Sequence, residues 1–143
     1  MHKRTAWFMM AVSFLGFIDA SYLTAKHYMG TALTCALFEG CDVVTTSKYS
    51  EVLGLPVSLL GSVYYLSVFI FVAYYLDSQK LRSLSLAAYA SMAGFAASLG
   101  FIYIQVFILK ALCIYCLFSA LTSTLLFIAG VSMLARSKKM RDQ

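Results

Sequence analysis

Four long apolar runs constrain the fold of this chain more than any other feature. They cover residues 6–25, 55–76, 84–109 and 111–134. A helix rises about 1.5 Å per residue, so about 20 apolar residues suffice to cross the hydrocarbon of a bilayer. Only 12% of the residues are charged, whereas soluble domains average about a quarter. We therefore predict an all-α membrane protein: a four-transmembrane-helix bundle that forms a single membrane domain over residues 1–143.

The first run follows two basic residues, as the apolar segment of a secretory signal peptide does. It is longer than such a segment, and it continues into SYLTAKHY without an Ala-x-Ala cleavage pattern. We expect it to be retained as the first helix.

Basic residues are distributed unequally between the loops. Most of them lie at the N-terminus, in the second loop and in the C-terminal tail: Lys3, Arg4, Lys80, Arg82, Arg136, Lys138, Lys139 and Arg141. Only Lys26, Lys48 and Lys110 lie in the first and third loops. The positive-inside rule then places both termini and the second loop in the cytoplasm. We expect a multi-pass protein of the plasma (inner) membrane, and we attribute the basic tail to topology and anionic lipid rather than to nucleic acid.

All four cysteines fall in the loops that this topology places outside the cell. Cys35 and Cys41 lie in TCALFEGC, within the first loop of residues 26–54, and Cys113 and Cys116 form a Cys-x-x-Cys pair in LKALCIYCLF. Disulfides persist in extracytoplasmic compartments. A redox relay is the reading we favour, with no metal. The alternatives are structural disulfides and a zinc site with four thiolate ligands.

The second pair has the position that thiol chemistry requires. Since the third and fourth runs are almost continuous, Cys113 should lie at the N-terminus of the fourth helix and Cys116 one turn inside it. A helix N-terminus stabilises the thiolate, which is the form that attacks disulfides. Electrons from a partner's thiols would pass through Cys35 and Cys41 to this pair by thiol–disulfide exchange. At the membrane boundary, a lipid-soluble quinone is the acceptor that fits.

Polar positions near this pair provide further candidates. Gln105 lies near the outer end of the third helix, where it could contact a ligand head group, and Tyr115 and Phe118 could line a quinone pocket. Asp19 lies roughly 10 Å below the outer end of the first helix. It is either a buried carboxyl hydrogen-bonded to another helix or a proton relay beneath the outer site.

Two further expectations concern local structure. In the first loop, DVVTTSKYSEVLG could form a short helix that lies over the mouth of the bundle, with Pro56 then in the first turn of the second helix. On the third helix, Ala90-xxx-Gly94 and Ala96-xxx-Gly100 are spacings of small residues that allow another helix to approach closely.

The chain resembles the vitamin K epoxide reductase family, and more narrowly its prokaryotic homologues without a fused thioredoxin-like domain. The resemblance rests on four helices, a first-loop cysteine pair ahead of a serine, GLPVSLLG at the entry to the second helix, and CIYC at the start of the fourth. It covers residues 16 to about 126.

By this resemblance, Cys35 faces a thioredoxin-like extracytoplasmic thiol oxidase, Cys41 exchanges with Cys113, and Cys116 lies beside a quinone of the ubiquinone or menaquinone class. Ser47, six positions after Cys41, corresponds to the family serine that assists electron transfer between the pairs.

The chain departs from the animal enzymes that reduce vitamin K. Those enzymes hold the substrate with an Asn in the second helix and a Tyr one turn after the Cys-x-x-Cys, and these positions correspond to Val57 and Ala120. We therefore expect quinone reduction coupled to protein disulfide formation rather than epoxide reduction. The expected quinone pocket comprises Cys116, Tyr115, Val57, Ala120 and Gln105.

Three other classes of protein are alternatives. Disulfide bond formation protein B also has four helices, but its Cys-x-x-Cys pair comes first along the chain, whereas here it comes second. A small proton-coupled four-helix transporter would use Asp19 and would need neither the long outer loop nor four outer thiols. A membrane scaffold would use the disulfides only for stability.

Overall fold

The computed structural model describes residues 2–30, 48 and 51–143. In this part of the chain, four helices are long and apolar enough to cross a membrane, as the apolar runs predict. In chain order these are α1 (His2–Met29), α2 (Val57–Ser78), α3 (Leu81–Tyr103, continued by a π-helical segment Ile104–Leu109) and α4 (Ile114–Arg141).

The helices extend beyond the predicted runs at most of their ends. α1, for example, begins at His2 rather than at residue 6, and α4 continues to Arg141 rather than ending at residue 134. The length of an apolar run reflects the thickness of the hydrocarbon layer. A helix can be longer, because it continues into the polar interface as long as its backbone hydrogen bonds are satisfied.

The bundle is arranged so that α2 and α4 each pack against both α1 and α3. Buried apolar side chains of all four helices form its core, with Met9, Tyr65, Val68, Leu84 and Met133 among the most buried. The connection between α2 and α3 is a tight turn at Gln79 and Lys80. Gln79 has a left-handed backbone, and its N–H donates to the carbonyl of Tyr75.

The end of the first loop is a β-hairpin. Strands β1 (Glu51–Val52) and β2 (Leu55–Pro56) pair antiparallel, and the two turn residues, Leu53 and Gly54, both have positive φ, as a two-residue type I′ turn requires. The predicted loop helix is therefore wrong for residues 51–54. The rest of that stretch, apart from Lys48, lies outside the described residues. Pro56 immediately precedes α2 instead of lying in its first turn.

Glycines allow two close contacts between helices and tyrosine rings. A Cβ on Gly16 of α1 would overlap the ring of Tyr65, and a Cβ on Gly94 of α3 would overlap the ring of Tyr64. Gly100, by contrast, has no neighbour within 4 Å. At Gly94, the small residue of α3 therefore makes room for the Tyr64 ring of α2. At Gly100, the close approach of another helix that the spacing predicts does not occur.

Candidate active site

The Cys-x-x-Cys pair lies at the start of α4, as its position in the sequence predicts. Cys113 is the N-cap residue, with extended backbone, and Cys116 lies within the first turn. The Cys113 side chain is 0% exposed and packs with Leu23 of α1, beside Leu109 and Ala111. Both cysteines are free thiols. The pair is thus a dithiol enclosed between the C-terminal ends of α1 and α3 and the N-terminal end of α4.

The surroundings of Cys113 favour its thiolate. The Cys116 thiol beside it lowers the pKa of Cys113 below its ordinary value, helped by the nearby backbone N–H groups of Cys116 and Tyr115, while burial opposes this shift. A lower pKa increases the fraction of thiolate at neutral pH. Cys113 therefore has a larger fraction of thiolate at neutral pH than an ordinary cysteine.

The π-helical segment brings Gln105 to this pair. In a π-helix the N–H groups bond to carbonyls five residues back, which changes the direction in which the side chains point. The segment ends at Lys110, which has a left-handed backbone (φ 52°), and the N–H groups of Lys110 and Ala111 both donate to the carbonyl of Gln105. The Gln105 side chain is buried, and its Oε1 accepts a hydrogen bond from the backbone N–H of Cys113 at 3.2 Å. Gln105 thus satisfies a donor at the start of α4 that the helix itself leaves unpaired.

A cavity of about 410 Å³ opens from the Cys-x-x-Cys pair into the bundle. Its walls are mainly apolar, and they carry a few polar groups that point inward, which is typical of small-molecule sites. It is lined by Ala20, Leu23 and His27 of α1, Val52 of β1, Val57, Ser58, Leu60, Gly61, Tyr64 and Tyr65 of α2, Ala93, Gly94, Ala97, Ser98, Phe101 and Ile102 of α3, Gln105 of the π-helical segment, and Cys116, Ser119, Ala120 and Ser123 of α4.

Four of the five residues expected in a quinone pocket line this cavity: Cys116, Val57, Ala120 and Gln105. The fifth, Tyr115, is not among the lining residues. Its ring lies 5.5 Å from that of Tyr22 on α1.

Three further candidates, Cys35, Cys41 and Ser47, lie outside the described residues. Phe118 is half-exposed and does not line the cavity.

Asp19 lies on α1, close to Cys113 and Cys116. Its side chain is 9% exposed, and its Oδ2 has no hydrogen-bond partner among the described residues. The expected hydrogen bond to a neighbouring helix is therefore not present at this oxygen. A buried carboxyl oxygen without a partner is available to accept or release a proton.

A polar cluster deeper in the bundle was not among the predicted site residues. The Tyr65 hydroxyl lies within 3.0 Å of the hydroxyls of Ser119, Thr122 and Ser123, and it donates to the carbonyl of Ser119 at 2.7 Å. The spacing of the three hydroxyl residues in an apolar run, at i, i+3 and i+4, places them on one helix face. That spacing could have indicated the cluster.

Tyr64 is a second residue that the sequence did not single out. Its hydroxyl oxygen is buried at the cavity wall without a hydrogen-bond partner among the described residues. In the sequence, no local pattern distinguishes Tyr64 from Tyr65. The direction of the Tyr64 side chain depends on its contact with Gly94 of another helix.

Comparison with known protein families supports the resemblance that the cysteine spacing indicated. The family described as the vitamin K epoxide reductase family matches residues 7–131, which is most of the chain. The matched range includes the Cys-x-x-Cys pair and the residues that line the cavity. A search of curated proteins finds no significant match.

Proposed function

The chain belongs to the vitamin K epoxide reductase family, and on this premise we propose that it oxidises an extracytoplasmic thioredoxin-like protein and reduces a membrane quinone. The family and the four apolar helices make it a multi-pass membrane thiol–disulfide oxidoreductase. The donor, the acceptor and the order of the cysteines are the parts that we propose. Disulfide bond formation in secreted proteins would be the process that this activity supports.

The observation that carries the proposal is the junction between the dithiol and the cavity. Cys113 lies at the N-cap of α4, at the end of the bundle, whereas Cys116, one turn further along α4, lines the cavity inside the bundle. A dithiol in this position can exchange with a disulfide on one side and deliver electrons to a lipid-soluble acceptor on the other.

The residues of the cavity fit a quinone. The walls are apolar, and they carry two buried polar groups without a partner among the described residues, the Tyr64 hydroxyl and the Gln105 amide nitrogen. Val57 and Ala120 would pack against the ring. When bound, a quinone supplies an acceptor for two electrons and two protons.

The thiols of the chain provide a balanced route to this acceptor. In the proposed order, the partner's dithiol reduces the Cys35–Cys41 disulfide and is itself oxidised. The Cys41 thiolate then attacks a Cys113–Cys116 disulfide at Cys113, and Cys35 resolves the Cys41–Cys113 mixed disulfide. Cys113 and Cys116 are left as thiols, and their reoxidation releases the two electrons and two protons that the acceptor takes up. Ser47 would assist the exchange between the pairs.

Asp19 would act as a proton relay for this reoxidation. Its carboxyl group lies near both thiols, and one of its oxygens has no partner among the described residues, so it can take up a proton as the disulfide forms. If the chain were instead a proton-coupled transporter, Asp19→Asn would abolish transport and leave the thiol chemistry intact. In the proposed enzyme, the same substitution slows quinone reduction.

We also propose the orientation that the basic residues indicate. Both termini and the turn between α2 and α3 would be in the cytoplasm, and all four cysteines would be on the outer side of the plasma membrane.

The proposal is tested by quinone reduction with purified protein. Reduced thioredoxin-like protein should bleach the absorbance of decylubiquinone or a menaquinone analogue in the presence of the wild-type chain. Cys116→Ser should abolish this turnover, because Cys116 is the sulfur at the cavity. Cys35→Ser should stop turnover with the protein donor but preserve it with a small dithiol. Turnover that survives Cys116→Ser would contradict the proposal.

A further inference from the structure

The cavity holds two hydrogen-bond donors that have no partner among the described residues. The Gln105 Nε2 and the Tyr64 hydroxyl are both buried from solvent and both belong to residues of the cavity wall. Buried polar groups are nearly always paired, because an unpaired one loses its hydrogen bonds to water without replacement. Two unpaired donors in one cavity therefore point to a ligand that carries two acceptors.

The Gln105 donor lies at the outer end of the cavity. Its Oε1 is held by the backbone N–H of Cys113 at 3.2 Å, so the amide group is fixed at the level where α4 begins. The remaining Nε2 lies near the Cys116 side chain but forms no hydrogen bond of acceptable geometry with the described residues, so it is the part of the amide that can bind a ligand.

The Tyr64 donor lies deeper in the bundle. The tyrosine ring is held between Gly94 of α3, where a Cβ would overlap it, and the ring of Tyr65, whose centroid is 4.8 Å away. Ser91 and Ser123 lie near the hydroxyl, but neither forms a hydrogen bond of acceptable geometry with it. The ring is thus fixed while its hydroxyl remains unpaired.

The separation of the two donors suits a quinone ring. On α4, Cys116 lies near the Gln105 amide and Ser123 lies near the Tyr64 hydroxyl. These two residues are seven positions apart, which is about 10 Å along the helix axis. Two carbonyl oxygens on opposite sides of a six-membered ring, each accepting one hydrogen bond, span about 11 Å between donor atoms.

We propose that Gln105 and Tyr64 donate hydrogen bonds to the two opposite carbonyl oxygens of the quinone, with Gln105 at the outer carbonyl and Tyr64 at the inner one. This inference rests on the proposed function, and it adds the residues that select the substrate. Because Val57 and Ala120 offer no hydrogen bond, the two donors set the preference for a para-quinone over a ligand with one carbonyl or with two adjacent carbonyls.

Binding of quinone without turnover tests the donors directly. With no thiol donor present, the Kd of decylubiquinone is measured for the full chain in nanodiscs, beside an alkylbenzene of matched size that has no carbonyl. Loss of one neutral hydrogen bond corresponds to about a 3- to 10-fold weaker Kd, and this is the change that we expect for Tyr64→Phe and for Gln105→Met. Binding of the alkylbenzene should be unchanged in both variants.

Matched controls separate the effect of removing the Tyr64 hydroxyl from general effects of a substitution on its helix. Tyr74→Phe removes the same atom from an exposed tyrosine on the same helix, where the hydroxyl contacts Lys80, and should leave the Kd unchanged. Gly94→Ala should weaken quinone binding by displacing the Tyr64 ring. Gly100→Ala, on the same helix and with no neighbour within 4 Å, should not.

Infrared spectra of bound quinone give a second readout. The quinone is labelled with ¹³C at one carbonyl at a time, so that the two carbonyl stretching bands can be assigned. In the wild-type chain, both bands should lie at a lower frequency than in free quinone. Tyr64→Phe should return one band to its free value, and Gln105→Met the other.

The possible failures are distinguishable. If the wild-type chain binds the quinone but neither variant changes the Kd or a carbonyl band, the donor pair is wrong and the proposed function stands. If the wild-type chain binds no quinone, the proposed function itself fails, and the donor pair with it.

Discussion

Cys113 and Cys116 differ in their surroundings although only two residues separate them. Cys113 is fully buried at the N-cap of α4, where the Cys116 thiol and nearby backbone N–H groups favour its thiolate, whereas Cys116 belongs to the wall of the cavity. The two sulfurs therefore suit the different steps of the proposed relay: exchange with another disulfide for Cys113, and contact with the acceptor in the cavity for Cys116.

This difference predicts the pH dependence of Cys113. Its pKa is lowered, so its thiolate should persist to lower pH than that of an ordinary cysteine, which titrates near about 8.5, and should be lost as the pH falls through the lowered value. The measurement is the thiolate absorbance at 240 nm of a Cys35→Ser/Cys41→Ser variant, in which Cys113 and Cys116 are the only thiols.

The neighbouring thiol provides the control. In the same background, Cys116→Ala removes the group that contributes most to the shift and should raise the midpoint of Cys113, whereas Cys116→Ser keeps a hydroxyl donor and should raise it less. A midpoint at or above about 8.5 while Cys116 is present would show that neither the Cys116 thiol nor the backbone N–H groups stabilise the thiolate.

Single residues also show how far the sequence determines the site. The N-cap position of Cys113 could be predicted, because two apolar runs separated by a short connection leave no other place for a helix to begin. The hydrogen bond between Gln105 and Cys113 could not, because it depends on the π-helical segment. Neither could the role of Tyr64, since its direction follows from a glycine on another helix.

The helices themselves are the most predictable elements, since length and hydropathy alone determine whether a segment crosses a bilayer. The hairpin at the end of the first loop was predicted as helix. A capping residue and a following Gly-x-Pro suit a helix end, but the same Leu-Gly pair also suits a two-residue turn with positive φ. The position of the hairpin depends in part on a long-range contact: the Glu51 carboxylate accepts a hydrogen bond from the His27 ring of α1 at 3.0 Å.

The contact between α1 and α2 predicts a specific packing effect. The Tyr65 ring lies against Gly16 of α1, and its hydroxyl is held by the cluster on α4. The ring therefore has little freedom to move, and Gly16→Ala should destabilise the bundle by about 1–3 kcal/mol, the usual cost of overpacking a core. The measurement is the midpoint of unfolding in SDS or the Tm.

Gly100→Ala is the matched control for this element. It makes the same substitution at a helix position where an added Cβ would have no neighbour within 4 Å. The only expected effect is therefore the higher helix propensity of alanine, a stabilisation of up to about 1 kcal/mol. Equal effects of the two substitutions would contradict the packing role of Gly16.

At the scale of the whole molecule, the surface of the bundle is apolar along its length and basic at one end. Large apolar side chains on the outer faces of all four helices are exposed, including Phe14, Ile70, Leu99 and Ile128. These are the surfaces that lipid would cover. The cavity and the dithiol lie at the end of the bundle opposite the turn between α2 and α3, because that turn precedes α3 and Cys113 follows it.

The orientation of the bundle predicts which end can be labelled from outside the cell. In a variant with all four cysteines replaced by serine, a single cysteine is introduced either as Lys110→Cys, next to the dithiol, or as Gln79→Cys, in the turn between α2 and α3. Both positions are exposed and both have a left-handed backbone, with φ of 52° and 54°, so the two substitutions impose a similar backbone strain. A membrane-impermeant maleimide should label Lys110→Cys in intact cells and Gln79→Cys only after permeabilisation, because eight of the 11 basic residues lie on the side of Gln79. Labelling of Gln79→Cys in intact cells would place the dithiol in the cytoplasm, where thiols are kept reduced, and would remove the basis for an extracytoplasmic partner.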